Sequence, residues 1–184
     1  DCHDRRVKSG DHWLIDMAAR LSDNEVWHKP VLEDDCSACH RPHGSANHRL
    51  LKKPFPTSFY SKFSTADYGL CFSCHEKSRV TVEWSRSVTR FRDGDRNLHF
   101  LHVNKERRGR SCRACHSVHA SPQPLHVAER VPFGRWLMPI NFKKTEIGGS
   151  CAPGCHESYD YDRKQPDSAE SGTEDDGKKK KGKD

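Results

Sequence analysis

The stretch C36-S-A-C-H40-R-P-H43-G-S-A-N-H48-R-L-L51 decides how this chain is read. Two thiols two residues apart are followed at once by a histidine. The arrangement returns as CFSCH (71–75), as CRACH (112–116) and, with one extra residue, as CAPGCH (151–156). A Cys-x-x-Cys-His stretch is the attachment site of c-type haem. Thiols one turn apart add to the two haem vinyl groups, and the next histidine is held beneath the iron as its proximal ligand. Thioether bonds are therefore assigned to Cys36, Cys39, Cys71, Cys74, Cys112, Cys115, Cys151 and Cys155, and proximal ligation to His40, His75, His116 and His156. In the fourth motif Pro153-Gly154 lets the longer loop bulge while both thiols reach the vinyls. A zinc site needs a second cysteine pair or two histidines at set spacing, not a histidine fused to every second cysteine. A disulfide framework has no use for that histidine either.

The second cysteines serve as a ruler. They fall at Cys2, Cys39, Cys74, Cys115 and Cys155, in steps of 37, 35, 41 and 40 residues. Cys2-His3 is in step, so it reads as the end of a fifth motif and the chain as a segment of a longer multihaem protein. A free terminal thiol and a haem on the single thioether of Cys2 are the other readings. The expected cofactor is haem c, four copies with Cys2 and His3 adding a fifth.

Eight histidines remain for the opposite faces of the irons: His12, His28, His43, His48, His99, His102, His119 and His126. Methionine, the rival ligand that raises the potential, is present only as Met17 and Met138. Bis-histidine ligation at low potential follows. His43 and His119 each lie three residues after a proximal histidine. Two imidazoles so close in sequence cannot bind one iron from opposite faces, so each serves a neighbouring haem. Together with His28, His99, His102 and His126 they form the distal candidate set.

Composition agrees. Only 33% of the 184 residues are hydrophobic, 32% are charged and mean hydropathy is −0.98. Such a chain struggles to bury enough apolar surface to offset its conformational entropy, so covalently tied haems replace the missing core. The net charge of +6 is countered by haem propionates, each ferric bis-histidine haem carrying about one net negative charge, and Arg and Lys can pair with them. The basic excess is not read as nucleic-acid binding, since no such motif is present. No apolar run reaches the length of a membrane span.

The expected fold is mostly irregular coil with short α-helices and little or no β structure, organised around stacked haems. Residues 1–165 form one multihaem cytochrome domain and 166–184 a charged low-complexity tail. Leu14, Met17, Ala18 and Leu21 are helically spaced, which predicts a helix over 11–21. Short helices are expected at the proximal histidines.

CSACHRPHGSANHRLL followed by YGLCFSCH resembles the doubled Cys-x-x-Cys-His domain of bacterial multihaem c-type cytochromes. FRDGDRNLHFLHVNKERRGRSCRACHSVHAS and VPFGRWLMPINFKKTEIGGSCAPGCHESYDYDR resemble its continuation in large cytochromes of metal-respiring bacteria. The resemblance implies bis-histidine haems in close contact and export to the periplasm, cell surface or beyond. Some of these relatives polymerise into electron-conducting extracellular filaments. Electron transfer without substrate chemistry is therefore expected. The chain acts either as part of an extended conduit or as a discrete periplasmic shuttle. Its partners are other redox proteins, copies of itself, or periplasmic or extracellular acceptors. A multihaem reductase would leave one iron open, often with an altered motif, and no motif here is altered in that way.

Overall fold

A computed structural model of the chain describes residues 5–164. Cys2, His3 and the tail over 166–184 lie outside the described residues. Thirteen strands of two to four residues form six small antiparallel sheets, beside four helices of four to six residues and five 3-10 turns. This corrects the expectation of coil with little or no β structure. The physical reason is hydrogen-bond satisfaction. Ten prolines and twelve glycines punctuate the chain, yet backbone N–H and C=O groups turned inward still need partners. Short extended pieces meet that need two at a time.

Three of the pairs are tight hairpins with two-residue turns: Val7–Ser9 with His12–Leu14, Arg92–Asp93 with Arg96–Asn97, and Arg130–Phe133 with Trp136–Pro139. Each turn begins with a glycine at positive φ, Gly10 (+58°), Gly94 (+50°) and Gly134 (+60°), which a two-residue turn compatible with strand twist requires. The first hairpin displaces the predicted helix over 11–21. Asp16 is extended (φ −68°, ψ 104°) and its Oδ1 accepts the Ala19 N–H at 2.9 Å, so the helix spans only Met17–Ser22. A local cap and a glycine turn override the apolar stripe.

Two sheets join distant segments. Val26–Trp27 pairs with Ala120–Ser121, and Tyr60–Ser61 with Gly109–Arg110. Near the end, Lys143–Lys144, Gly148–Cys151 and Tyr159–Asp162 form a three-stranded sheet that closes the base of the fourth motif as a loop. The apolar core is divided. Ala128, Val131, Met138, Ile140 and Phe142 form one cluster, with Cys151 at its edge. Tyr68, Val80 and Val103 form another, with Cys112 at its edge.

The helix Leu98–Val103 is anchored by Asn97, which is fully buried. Its Oδ1 accepts the N–H groups of His99 and Phe100, and its Nδ2 donates to the Arg79 and Val82 carbonyls, both at 2.8 Å. Asn97→Ala removes the cap and orphans two carbonyls, with an expected loss of about 2–4 kcal/mol. Asn97→Asp keeps the cap but sets a buried carboxylate oxygen against the two carbonyls, so it should cost at least as much as alanine. Urea titration of the haem-loaded protein checks both; a change under about 0.5 kcal/mol for the alanine variant contradicts the anchoring.

Candidate functional site

Three motifs share one local structure. Cys36–Ala38, Cys71–Ser73 and Cys112–Ala114 are single 3-10 turns, and the histidine N–H of each motif donates to the carbonyl of its first cysteine at 2.9–3.0 Å. The expected short helices at the proximal histidines are therefore single turns. The fourth motif has none: Cys151 ends a strand, and the His156 N–H donates to Pro153 at 3.4 Å. Its extra residue fits a hairpin loop. Gly154 has a further role there, since a Cβ would strike the Trp136 indole.

The chain around the first and third motifs is duplicated 76 residues apart, Cys36 matching Cys112 and Lys52 matching Ala128. The matching hydrogen bonds recur one for one. The Arg41 N–H donates to Leu50 O (2.7 Å) as Ser117 does to His126 O (2.9 Å), and Lys52 donates to Cys39 O as Ala128 does to Cys115 O (both 2.8 Å). Ser45 Oγ donates to Leu51 O and Ser121 Oγ to Val127 O, both at 2.5 Å. In each copy two consecutive non-glycine residues are left-handed, Arg49-Leu50 and Leu125-His126, with φ between +54° and +60°. That conformation costs roughly 1–2 kcal/mol per residue. It presents a carbonyl to the proximal ring: His40 Nδ1 donates to Arg49 O at 3.0 Å and His116 Nδ1 to Leu125 O at 3.2 Å.

Four imidazoles are fixed in the same tautomer. Besides His40 and His116, His102 Nδ1 donates to Leu98 O (2.7 Å) and His156 Nδ1 to Glu157 O (2.5 Å). A carbonyl only accepts, so Nδ1 carries the proton and Nε2 keeps a bare lone pair, as a metal ligand needs. His99 Nδ1 meets Thr89 Oγ1 at 2.9 Å. Burial favours the neutral rings. It holds His28, His102, His116 and His126 below the usual histidine range, His99 down at about 3 and His119 at about 4.

The rings come together in opposed twos. His28 faces His75 with centroids 6.0 Å apart and planes 14° from parallel. His40 faces His119 at 6.2 Å and 12°, and His99 faces His116 at 6.3 Å and 16°. An imidazole nitrogen sits about 2 Å from its metal, and the ring centre roughly 1 Å farther back, so two imidazoles across one iron have centres about 6 Å apart. His102 lies within electrostatic reach of His156. Among the described residues no three His, Cys, Asp or Glu side chains converge as a bare metal site. The eight described cysteines form no disulfide. Met138 is buried, with Cys155 Sγ 3.3 Å from its sulfur. The residues present therefore fit haem c.

The groups follow one another as a row. The His28 N–H donates to the His119 carbonyl at 3.0 Å, which ties His40/His119 to His28/His75. The His126 ring meets His28 at 5.3 Å and the His126 carbonyl accepts the N–H of Ser117, next to His116, at 2.9 Å, which brings it near both His28/His75 and His99/His116. His99 and His102 share the helix Leu98–Val103. Beside His40/His119, the guanidinium groups of Arg20, Arg49 and Arg113 gather. Burial and the other two cations hold the Arg113 value below its ordinary one. Among the described residues none of the three forms an ion pair with a carboxylate, which suits them to the carboxylates of a haem edge.

The family described as "Doubled CXXCH motif" matches residues 28–80. No curated protein and no solved structure matches the chain. The match supports a c-type, multihaem cytochrome-like family. The motifs of that family indicate covalent haem c and electron transfer. The duplicated turn at 112–128 carries the same geometry into the part of the chain that the match does not cover.

Of the six distal candidates, His28, His99 and His119 each face a proximal ring, and His102 stands near one. His126 meets His28 edge-on (5.3 Å, 84°), with its Nδ1 buried and unbonded. His43 is exposed. Residues that sequence reasoning missed are the orienting ones: Arg49, Leu125, Ser45, Ser121 and Thr89. Ser45 and Ser121, each five residues after a proximal histidine, were the available signal.

Proposed function

We propose that this chain transfers electrons through a row of c-type haems, each iron held between two histidines. The ligand sets are His40/His119, His75/His28, His116/His99 and His156/His102, with Cys2 and His3 contributing a fifth haem. The observation that carries this reading is the set of three near-parallel imidazole pairs at 6.0–6.3 Å. Haem c supplies reversible one-electron iron chemistry. The chain's own groups do the rest. Carbonyls of Arg49, Leu98, Leu125 and Glu157 set the tautomers, Thr89 orients His99, and Arg20, Arg49 and Arg113 would pair with propionates of a haem held at His40. Two imidazoles per iron leave no face open to a substrate, so the protein is a carrier and not a reductase.

The order of ligand pairs supports a conduit over a discrete shuttle. So does the resemblance to large cytochromes, and export to the periplasm, the cell surface or beyond goes with the same reading. Electrons enter from and leave to other redox proteins, copies of this chain, or acceptors outside the cell. The test is mass spectrometry of digested native protein together with ferric spin-state spectroscopy. Peptides containing each of the four complete motifs should carry haem, and the irons at His40, His75 and His116 should be low-spin. Haem-free peptides, or a high-spin iron at any of these three, would refute the reading.

A further inference from the structure

One short segment, 89–91, touches two distal imidazoles at once. Thr89 is buried, at 4% exposure, and its Oγ1 accepts the Phe91 N–H at 3.0 Å. The same oxygen meets His99 Nδ1 at 2.9 Å. For His99 to face His116 across a metal, its Nε2 needs a free lone pair, so Nδ1 carries the proton and Thr89 accepts it. Both lone pairs of the hydroxyl are then engaged. Phe91 closes the segment onto the helix Leu98–Val103, because its carbonyl accepts the Leu98 N–H at 3.0 Å. Its ring meets His99 edge-on, with centroids 5.1 Å apart and planes at 77°. Against His102 it lies closer to parallel, at 5.9 Å and 27°. Tyr161 holds the same ring from another side, at 5.2 Å and 84°. His99 and His102 are three residues apart on one helix, so they serve two different irons.

We infer that Thr89 and Phe91 form one clamp shared by two irons: Thr89 lowers the potential of the iron between His99 and His116, and Phe91 fixes the imidazole planes at that iron and at the one His102 serves. The inference rests on the bis-histidine reading above. An acceptor on Nδ1–H makes an imidazole the stronger donor, which favours ferric iron. The other ligand of that iron is treated alike, His116 Nδ1 donating to Leu125 O at 3.2 Å. The ring plane is a separate matter, because one hydrogen bond leaves a ring free to rock about the line to its acceptor. An aromatic face packed on it removes that freedom. Phe91 offers one ring to both imidazoles, so both planes depend on a single side chain. Thr89 and Phe91 are positioning residues, acting on the irons only through His99 and His102.

The test uses the full haem-loaded protein and three variants, Thr89→Val, Thr89→Ser and Phe91→Leu, followed by redox titration and by electron paramagnetic resonance of the ferric form. In Thr89→Val one titrating component should shift about tenfold toward ferrous iron at a fixed potential, a rise of about 59 mV, while the others stay. Thr89→Ser keeps the hydroxyl and should titrate as the parent does. Phe91→Leu keeps the backbone bonds and an apolar side chain but loses the flat face. Low-spin signals of two haems should move in it, and no iron should become high-spin. Parental potentials in Thr89→Val, or an equal shift of every component, overturn the role of Thr89. Movement of fewer than two signals in Phe91→Leu overturns the shared clamp. If the valine variant does not accumulate, Phe91→Leu decides alone. Failure of the bis-histidine reading is separate, since it shows in the parent as high-spin iron at His116 or as motif peptides without haem.

Discussion

Made without covalent haem, this chain should not fold. Circular dichroism should show no stable structure, and amides along Leu98–Val103 should exchange without protection. Among the described residues only twelve apolar side chains are buried, three of them alanine, whereas fourteen large apolar ones are exposed, Trp13, Trp84 and Trp136 among them. The two apolar clusters hold five and three buried residues. Most sheets are isolated two-stranded pairs, which are at best marginally stable alone. Cys112 and Cys151 stand at the edges of the two clusters, so their thioethers bring a large flat apolar body against each. The expected loss is thus the whole stability of the domain, roughly 5–15 kcal/mol. Hydrogen exchange on chain produced without haem attachment measures it. Protected amides in that helix would show that the polypeptide supplies its own core.

Replacing His119 by alanine should open one iron and leave the others closed. His119 faces only His40, across 6.2 Å. The His28/His75 and His99/His116 pairs do not involve its side chain. The ferric spectrum should gain one high-spin haem per molecule, and added imidazole should return it to low spin. The midpoint potential of that haem should rise, because a strong donor to ferric iron is lost. The fold should weaken by about 2–4 kcal/mol, in the range of large-to-small changes at buried sites. The His119 carbonyl still receives the His28 N–H, so the neighbouring pair stays in place. An unchanged spectrum, or loss of all low-spin signal at once, would contradict the pairing.

The site was more legible in the sequence than the fold. The motifs single out His40, His75, His116 and His156 as the proximal candidates, because thioether chemistry demands thiols and imidazole at fixed spacing. The strands were missed although part of their signal was present. Gly10-Asp11 and Gly94-Asp95 between short polar runs are hairpin signatures, but the runs are too short and too charged to show alternation. The helix over 11–21 failed for a related reason. An apolar stripe predicts which side packs, not where a cap begins, and Asp16 begins this one. The strand pairs between distant segments, Val26–Trp27 with Ala120–Ser121 above all, had no local signal.

From the sequence alone follow the haem-attachment motifs, the histidines that would serve as proximal ligands, the set from which distal ligands would be drawn, and the expectation of cofactor in place of a core. These depend on residue type and spacing, which no fold alters. Only the tertiary structure decided which imidazole faces which. His28 reaches His75, 47 positions away, and His119 reaches back 79 to His40. Such pairings are set by long-range backbone contacts, whose partners leave no mark on local sequence. The tertiary structure also separated His119 from His43, two residues alike in local context. Among the described residues, one is followed by a segment that pairs with a strand from elsewhere in the chain, and the other is not.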